Sequence, residues 1–204
     1  MRFSGEFTDA QNRLLADLQD RDKKERLSGR RERLSLKAVA PPVARLLYLL
    51  IIAKKAKNIA EFGTSHGYST IHLAAAADRT GGQVYTVDAM SEKTAFARSN
   101  LHDAGLLHRV TLSTCDGAEF ASSLPNRIDF IFVDYGVPAF TPAFKVLRDR
   151  IADGCLIFVD GGPDGYWDED GAKAFVRLLD EDPCFLVSIL PMHKDQLIAV
   201  RIES

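Results

Sequence analysis

Apolar and polar positions set up a regular alternation along most of the chain. Five short runs rich in β-branched and aromatic residues read as strands, at 58–62, 83–87, 110–114, 128–133 and 155–159. Segments with helical spacing separate and follow them, at 68–77, 92–104, 117–124, 138–151 and 171–180, and a strongly apolar helix opened by Pro41 and Pro42 runs to about Lys57. Repeated strand-helix units of this kind require a parallel sheet with helices on both faces. The tail breaks the rule, because the apolar runs 183–191 and 196–202 flank only 192–195, too short a gap for a parallel crossover. Together these elements predict an α/β fold, a doubly wound, mostly parallel seven-stranded sheet that ends in an antiparallel hairpin.

Ahead of this pattern, residues 1–35 are dense in charge, yet Leu14, Leu15 and Leu18 keep helical spacing behind a capping box at Thr8 and Gln11. They read as a charged N-terminal helical arm, serving as a lid or a homodimer contact, or else as a frayed, solvated extension. Residues 36–204 form the main domain.

Composition narrows the function classes. With 204 residues, 46% of them hydrophobic, one domain can bury a full core. A net charge of -2 supplies no basic field, so a small molecule and not a nucleic acid is the expected partner. The longest apolar stretch, 38–53, is broken by two prolines and Arg45, and the first residues lack an apolar signal core, so neither a membrane span nor export is expected. Cys115, Cys155 and Cys184 are widely spaced and odd in number, which suits reduced residues of a cytoplasmic protein.

The chemistry is expected at the strand ends. The stretch Glu61-Phe-Gly-Thr-Ser-His-Gly-Tyr-Ser69 lies where the first strand turns into a helix. Gly63 and Gly67 allow close backbone approach there, and the helix start offers free N–H groups to a carboxylate. The third glycine of the dinucleotide fingerprint is missing, so this loop favours an amino-acid-tailed nucleoside over NAD. Asp88 ends the second strand, where an acidic side chain accepts hydrogen bonds from ribose hydroxyls or caps the next helix. Ala89 and Met90 could cover an adenine face. Asp116 follows the third strand, with a helix N-cap as its alternative role. Asp134 and Asp160 end the fourth and fifth strands, the edge where open α/β sheets place their ligands.

The run Glu61, Gly63, Gly67, Tyr68, Ser69 resembles motif I of the catechol and caffeoyl-CoA type O-methyltransferases, and the order of elements extends that resemblance from about Pro41 to Arg201. The resemblance implies a class I, Rossmann-like fold and an S-adenosylmethionine-dependent O-methyltransferase. The loop, with Thr64 and Ser69, would hold the methionine part, Glu61 would lie near the positive end, Asp88 and Ala89 at the nucleoside, and Asp116 and Asp134 nearby. In metal-dependent members the positions of Asp134 and Asp160 bind a divalent cation such as Mg2+, completed by an Asn after the second Asp. Here that residue is Gly161, and Val137 stands where catechol-type members carry a Lys base. Activity independent of Mg2+ is therefore expected, with Asp134, Asp160 or His66 deprotonating the acceptor. His193 is a weaker candidate, and Tyr166 and Trp167 in the loop 161–171 could receive a planar substrate. A non-catalytic nucleoside-binding domain and an NAD-dependent oxidoreductase are the competing readings.

Overall fold

The computed structural model describes residues 5–29, 33–161, 170–192 and 194–203. The fold begins with α1 (Asp9–Leu27) and α2 (Pro41–Lys54), and β1 (Asn58–Phe62), α3 (Tyr68–Thr80), β2 (Gln83–Val87), α4 (Ser91–Asp103) and β3 (Val110–Ser113) make its first half. The second half contains α5 (Gly117–Ser123), β4 (Ile128–Val133), α6 (Val137–Leu147), β5 (Ile151–Val159), α7 (Asp170–Asp180), β6 (Phe185–Pro191) and β7 (Asp195–Arg201). The sheet order is β3-β2-β1-β4-β5-β7-β6. Strands β1 to β5 pair in parallel, and β7 pairs antiparallel with both β5 and β6, so the doubly wound sheet with a terminal hairpin is observed.

Burial on both sheet faces explains the nearly continuous apolar strands. Ile59, Phe130, Phe132 and Phe158 join α2 and α3 in one core. Their strand neighbours Phe62, Ile131, Val133 and Val159 point the other way, into a core with α5, α6 and α7. The strand order reverses between β1 and β4, and the crevice beyond their carboxyl ends is the place this topology reserves for a ligand.

Several boundaries differ from expectation for local reasons. β5 begins at Ile151 and not at residue 155, because Asp153-Gly154 forms an exposed bulge within the strand: Ile128 pairs with Ile151, and Phe130 with Leu156. α6 ends at Leu147, where a 3-10 turn, Arg148–Arg150, leads into that strand. α2 stops at Lys54, terminated by Lys55 in the left-handed conformation (φ 57°).

The first helix is docked, which corrects the frayed-arm reading. Its capping box forms as expected, with Gln11 N–H donating to Thr8 Oγ1 and Thr8 N–H to Gln11 Oε1. Leu15 and Leu18 are buried in the first core, Gln11 Nε2 donates to the Ala104 carbonyl, and Gln19 Nε2 to the Tyr68 hydroxyl. Among the described residues, no helix is long and apolar enough to cross a membrane. Truncating Leu18 to Ala should cost ~2–4 kcal/mol of stability, because the buried side chain leaves a cavity under α1. Urea unfolding would measure it; a loss below ~0.5 kcal/mol would mean that α1 is not part of the cooperative fold.

Candidate functional site

At the reversal point two strand ends nearly touch. A side chain at Gly63, just after β1, would bring its Cβ 2.6 Å from the Asp134 carbonyl oxygen after β4, and Gly63 has φ 109°. Glycine is therefore required there by both contact and backbone conformation. The Gly63 and Thr64 N–H groups donate to the Val87 carbonyl, Thr64 Oγ1 meets Thr86 Oγ1 at 2.6 Å, and Ser65 N–H donates to Asp88 Oδ2. These bonds fix the loop after β1 against the end of β2. Asp88 Oδ1 also accepts from Met90 N–H, so Asp88 braces both loops while facing the crevice.

A cavity of about 770 Å3 opens at this edge, within the usual range for a small-molecule site. Gly63, Asp88, Ala89, Asp116, Asp134 and Asp160 all line it. Asp116 is also the N-cap of α5, with Oδ1 accepting from Ala118 and Glu119 N–H, so capping and facing the cavity are both features of one side chain. The N-terminal segment closes another side. Glu25 accepts from Leu36 N–H, Asp22 from Ala38 N–H, and Ser65 Oγ donates to the Leu36 carbonyl, which ties the chain after α1 across the cavity wall.

Four expected donor-site residues stand back from the cavity lining. Glu61 is fully buried and accepts from Ser69 Oγ (2.5 Å), Thr70 Oγ1 (2.5 Å) and Thr86 Oγ1 (2.7 Å), so Ser69 is engaged by Glu61 and not by the cavity. Gly67 packs against Ala97, and Thr64 against Thr86. Together they shape the loop from behind. Burial pushes the Glu61 carboxyl up to about 7, against the pull of its three hydroxyl donors.

His66 requires a correction. It is fully buried, stacked on Phe96 at 4.7 Å, and its Nε2 lies 2.9 Å from the Leu34 carbonyl, which can only accept, so Nε2 carries the proton. It does not line the cavity and cannot act there as a base. Burial lowers its pKa further, favouring the neutral ring.

The end of the cavity at β4 and β5 is built from three chain segments. Asp134 follows β4 and Asp160 follows β5; burial, and then the neighbouring Asp160, hold the Asp134 carboxyl well above the usual carboxylate range, while Lys194 pulls it down. The ammonium of Lys194, ahead of β7, lies 3.5 Å from Asp160 Oδ2. A divalent cation fits this arrangement poorly. A Cβ on Gly161 would fall 1.5 Å from the Asp195 carbonyl oxygen, so the main chain of the hairpin occupies the space where a third side-chain ligand would project. No cluster of three or more His, Cys, Asp or Glu suited to a metal ion occurs among the described residues. Val137 is buried in the core and supplies no base. Tyr166, Trp167 and His193 lie outside the described residues.

Four cationic residues at the cavity were missed, Arg26 and Lys37 on the N-terminal side and two more from the sheet domain. Lys93 on α4 is buried and lines the cavity, as does Lys194. Nothing in the local pattern marks either one, since a Lys in a helix or near a hairpin turn ordinarily reads as solvated.

Residues 60–161 match a family described as a methyltransferase domain. The chain is 32% identical over 127 residues to a catechol O-methyltransferase of Niastella koreensis, covering 60% of this chain and 57% of that protein. It is 29% identical over 131 residues to a protein-L-isoaspartate O-methyltransferase of Thermococcus onnurineus, covering 64% and 56%. The chain thus spans little more than half the length of these two curated relatives. Among solved structures, an O-methyltransferase from Bacillus cereus in complex with S-adenosylhomocysteine superimposes with a TM-score of 0.76 at 25% identity, covering 92% of this chain and 90% of that one.

The raised Glu61 pKa carries a stability consequence. A folded-state pKa of about 7 against an unfolded value of 4.5 means that the folded protein holds the proton more tightly, so this contribution is complete below pH 4.5 and is lost as pH rises through 7. The shift corresponds to ~3 kcal/mol. Urea titrations from pH 4.5 to 8 should show a decline in the wild type that exceeds the decline in Glu61→Gln by about this amount. Parallel curves for the two proteins would show that Glu61 ionises no differently on folding.

Proposed function

The chain belongs to the methyltransferase-domain family, and from that premise we propose that it transfers a methyl group from S-adenosylmethionine to the hydroxyl oxygen of a small molecule. One observation carries this reading: the glycine loop with Asp88, and the carboxylates Asp134 and Asp160, border a single cavity at the sheet's reversal point. In that cavity Asp88 would accept from ribose hydroxyls, Ala89 and Met90 would cover an adenine face, and Asp116 would accept from its amino group. The backbone around Gly63, held in place by Val87 and Asp88, would lie against the methionine portion. Bound S-adenosylmethionine supplies a methyl activated by its sulfonium charge, and the O–CH3 bond forms as the S–CH3 bond breaks.

The protein's part is then positioning and proton removal. Holding the two reacting atoms ~3–3.5 Å apart accounts for several kcal/mol of the barrier. The hydroxyl proton passes to the Asp134 and Asp160 pair, where burial and the second carboxylate raise the proton affinity of Asp134. The segment after α1 would restrict the acceptor's approach, giving the 1–35 arm a role in the site of the 36–204 domain. The unpaired Cys115, Cys155 and Cys184 suit the cytoplasm.

Calorimetry tests the donor side directly. S-adenosylhomocysteine should bind and NAD should not, and Asp88→Ala should weaken S-adenosylhomocysteine by ~1.5–3 kcal/mol through lost hydrogen bonds to ribose. Binding of NAD as tight as or tighter than that of S-adenosylhomocysteine would overturn the reading; unchanged affinity in Asp88→Ala would reduce Asp88 to a brace between its two loops.

A further inference from the structure

The acceptor end of the cavity contains a cation delivered by the polypeptide itself. Asp160 ends β5 with only 5% of its side chain exposed, and the Lys194 ammonium approaches it from the antiparallel neighbour. Lys194 is held in position from its main chain. Gln196, fully buried, donates from Nε2 to the Lys194 carbonyl (2.9 Å) and accepts through Oε1 from the Gly161 N–H (3.4 Å). This one side chain clamps the start of β7 to the end of β5. The same approach puts the Asp195 carbonyl where a side chain at 161 would need to be. The hairpin thus removes one ligand position and, one residue earlier, brings a positive charge to the carboxylates.

Resting on the methyl-transfer reading above, we propose that Lys194 is a catalytic residue whose ammonium replaces a divalent cation: it binds the attacking oxygen of the acceptor as an anion, and thereby selects acceptors with a single acidic, phenol-like hydroxyl. Charge and geometry both favour this class. A metal ion holds two adjacent oxygens in a fixed chelate, whereas an ammonium is a point charge with rotatable donors that stabilises one oxyanion without requiring a second oxygen beside it. A neutral hydroxyl enters beside Asp134 and Asp160 without adding a charge, and becomes anionic only on giving its proton to them. The step balances: the hydroxyl proton goes to the carboxylate pair, the oxygen lone pair forms the O–CH3 bond, and the S–CH3 electrons remain on sulfur.

A purely structural Lys194 would only compensate the buried Asp160, so the test reads the acceptor and not just stability. The full-length protein is saturated with S-adenosylhomocysteine and titrated with 4-nitrophenol about one pH unit below the probe's own pKa, and the phenolate is followed by its absorbance. The wild type should raise the bound phenolate-to-phenol ratio by about tenfold, equal to ~1.4 kcal/mol. Lys194→Met and Lys194→Gln should abolish that rise while S-adenosylhomocysteine affinity stays within about threefold. Lys194→Arg, which keeps the charge, should restore part of it, and EDTA should leave the wild-type signal unchanged.

Equal phenolate fractions in wild type and in the neutral variants would overturn the proposal. So would a wild-type protein that binds S-adenosylhomocysteine but not the phenol, or a signal that EDTA removes and Mg2+ restores. Failure of the wild type to bind S-adenosylhomocysteine at all would instead strike the methyl-transfer reading on which the proposal rests.

Discussion

The site depends on how closely the ends of β1 and β4 approach. No side chain fits at Gly63, because the Asp134 carbonyl already lies in its path. This contact brings the turn after β1, proposed to hold the methyl donor, against Asp134, proposed to face the acceptor. It also follows from topology: β1 and β4 are sheet neighbours, but the chain leaves them in opposite directions, so their following loops diverge and leave a crevice. Anything that widened the contact would separate the two halves of the cavity.

Behind that contact stands a buried polar cluster. Glu61, Ser69, Thr70 and Thr86 link β1, the start of α3 and β2 inside an otherwise apolar core. Each hydroxyl is satisfied by the carboxyl, which limits the cost of burying it. The cluster fixes where α3 begins, and with it the path of residues 63–67. Its position explains why a motif with chemically suggestive residues contributes mostly backbone to the cavity. The acidic residue and the serine act on the loop, and the loop faces the ligand.

Most of the framework could be read from the sequence, because alternating apolar runs and short connections leave few ways to pack. The strand-end aspartates Asp88, Asp134 and Asp160 were legible for the same reason: a parallel sheet sends every strand's carboxyl end to one edge. Side-chain direction was not legible. His66 sits between two glycines in the ligand loop, yet its ring turns back onto Phe96 and Leu34, a choice made by packing with α4 and the N-terminal segment. Asp153-Gly154 lies ahead of the run read as the fifth strand, but pairing to β4 on either side makes it a bulge. Lys194 escaped notice because its meeting with Asp160 depends on the β5–β7 pairing and on how far a flexible side chain reaches across it.

The packing at Gly161 has a consequence for how such sites diverge. With the Asp195 main chain filling the space beside it, substituting Asn at 161 alone would introduce a collision before it introduced a ligand. The β6–β7 hairpin would have to shift first, and that shift would break the Gln196 clamp and withdraw Lys194. A change from one cation to the other is therefore a coordinated change in backbone register, and the intermediates along a path of single substitutions would lose the old charge before gaining a new one. Two neighbouring lineages built on this scaffold would be separated by a valley and not by a single step.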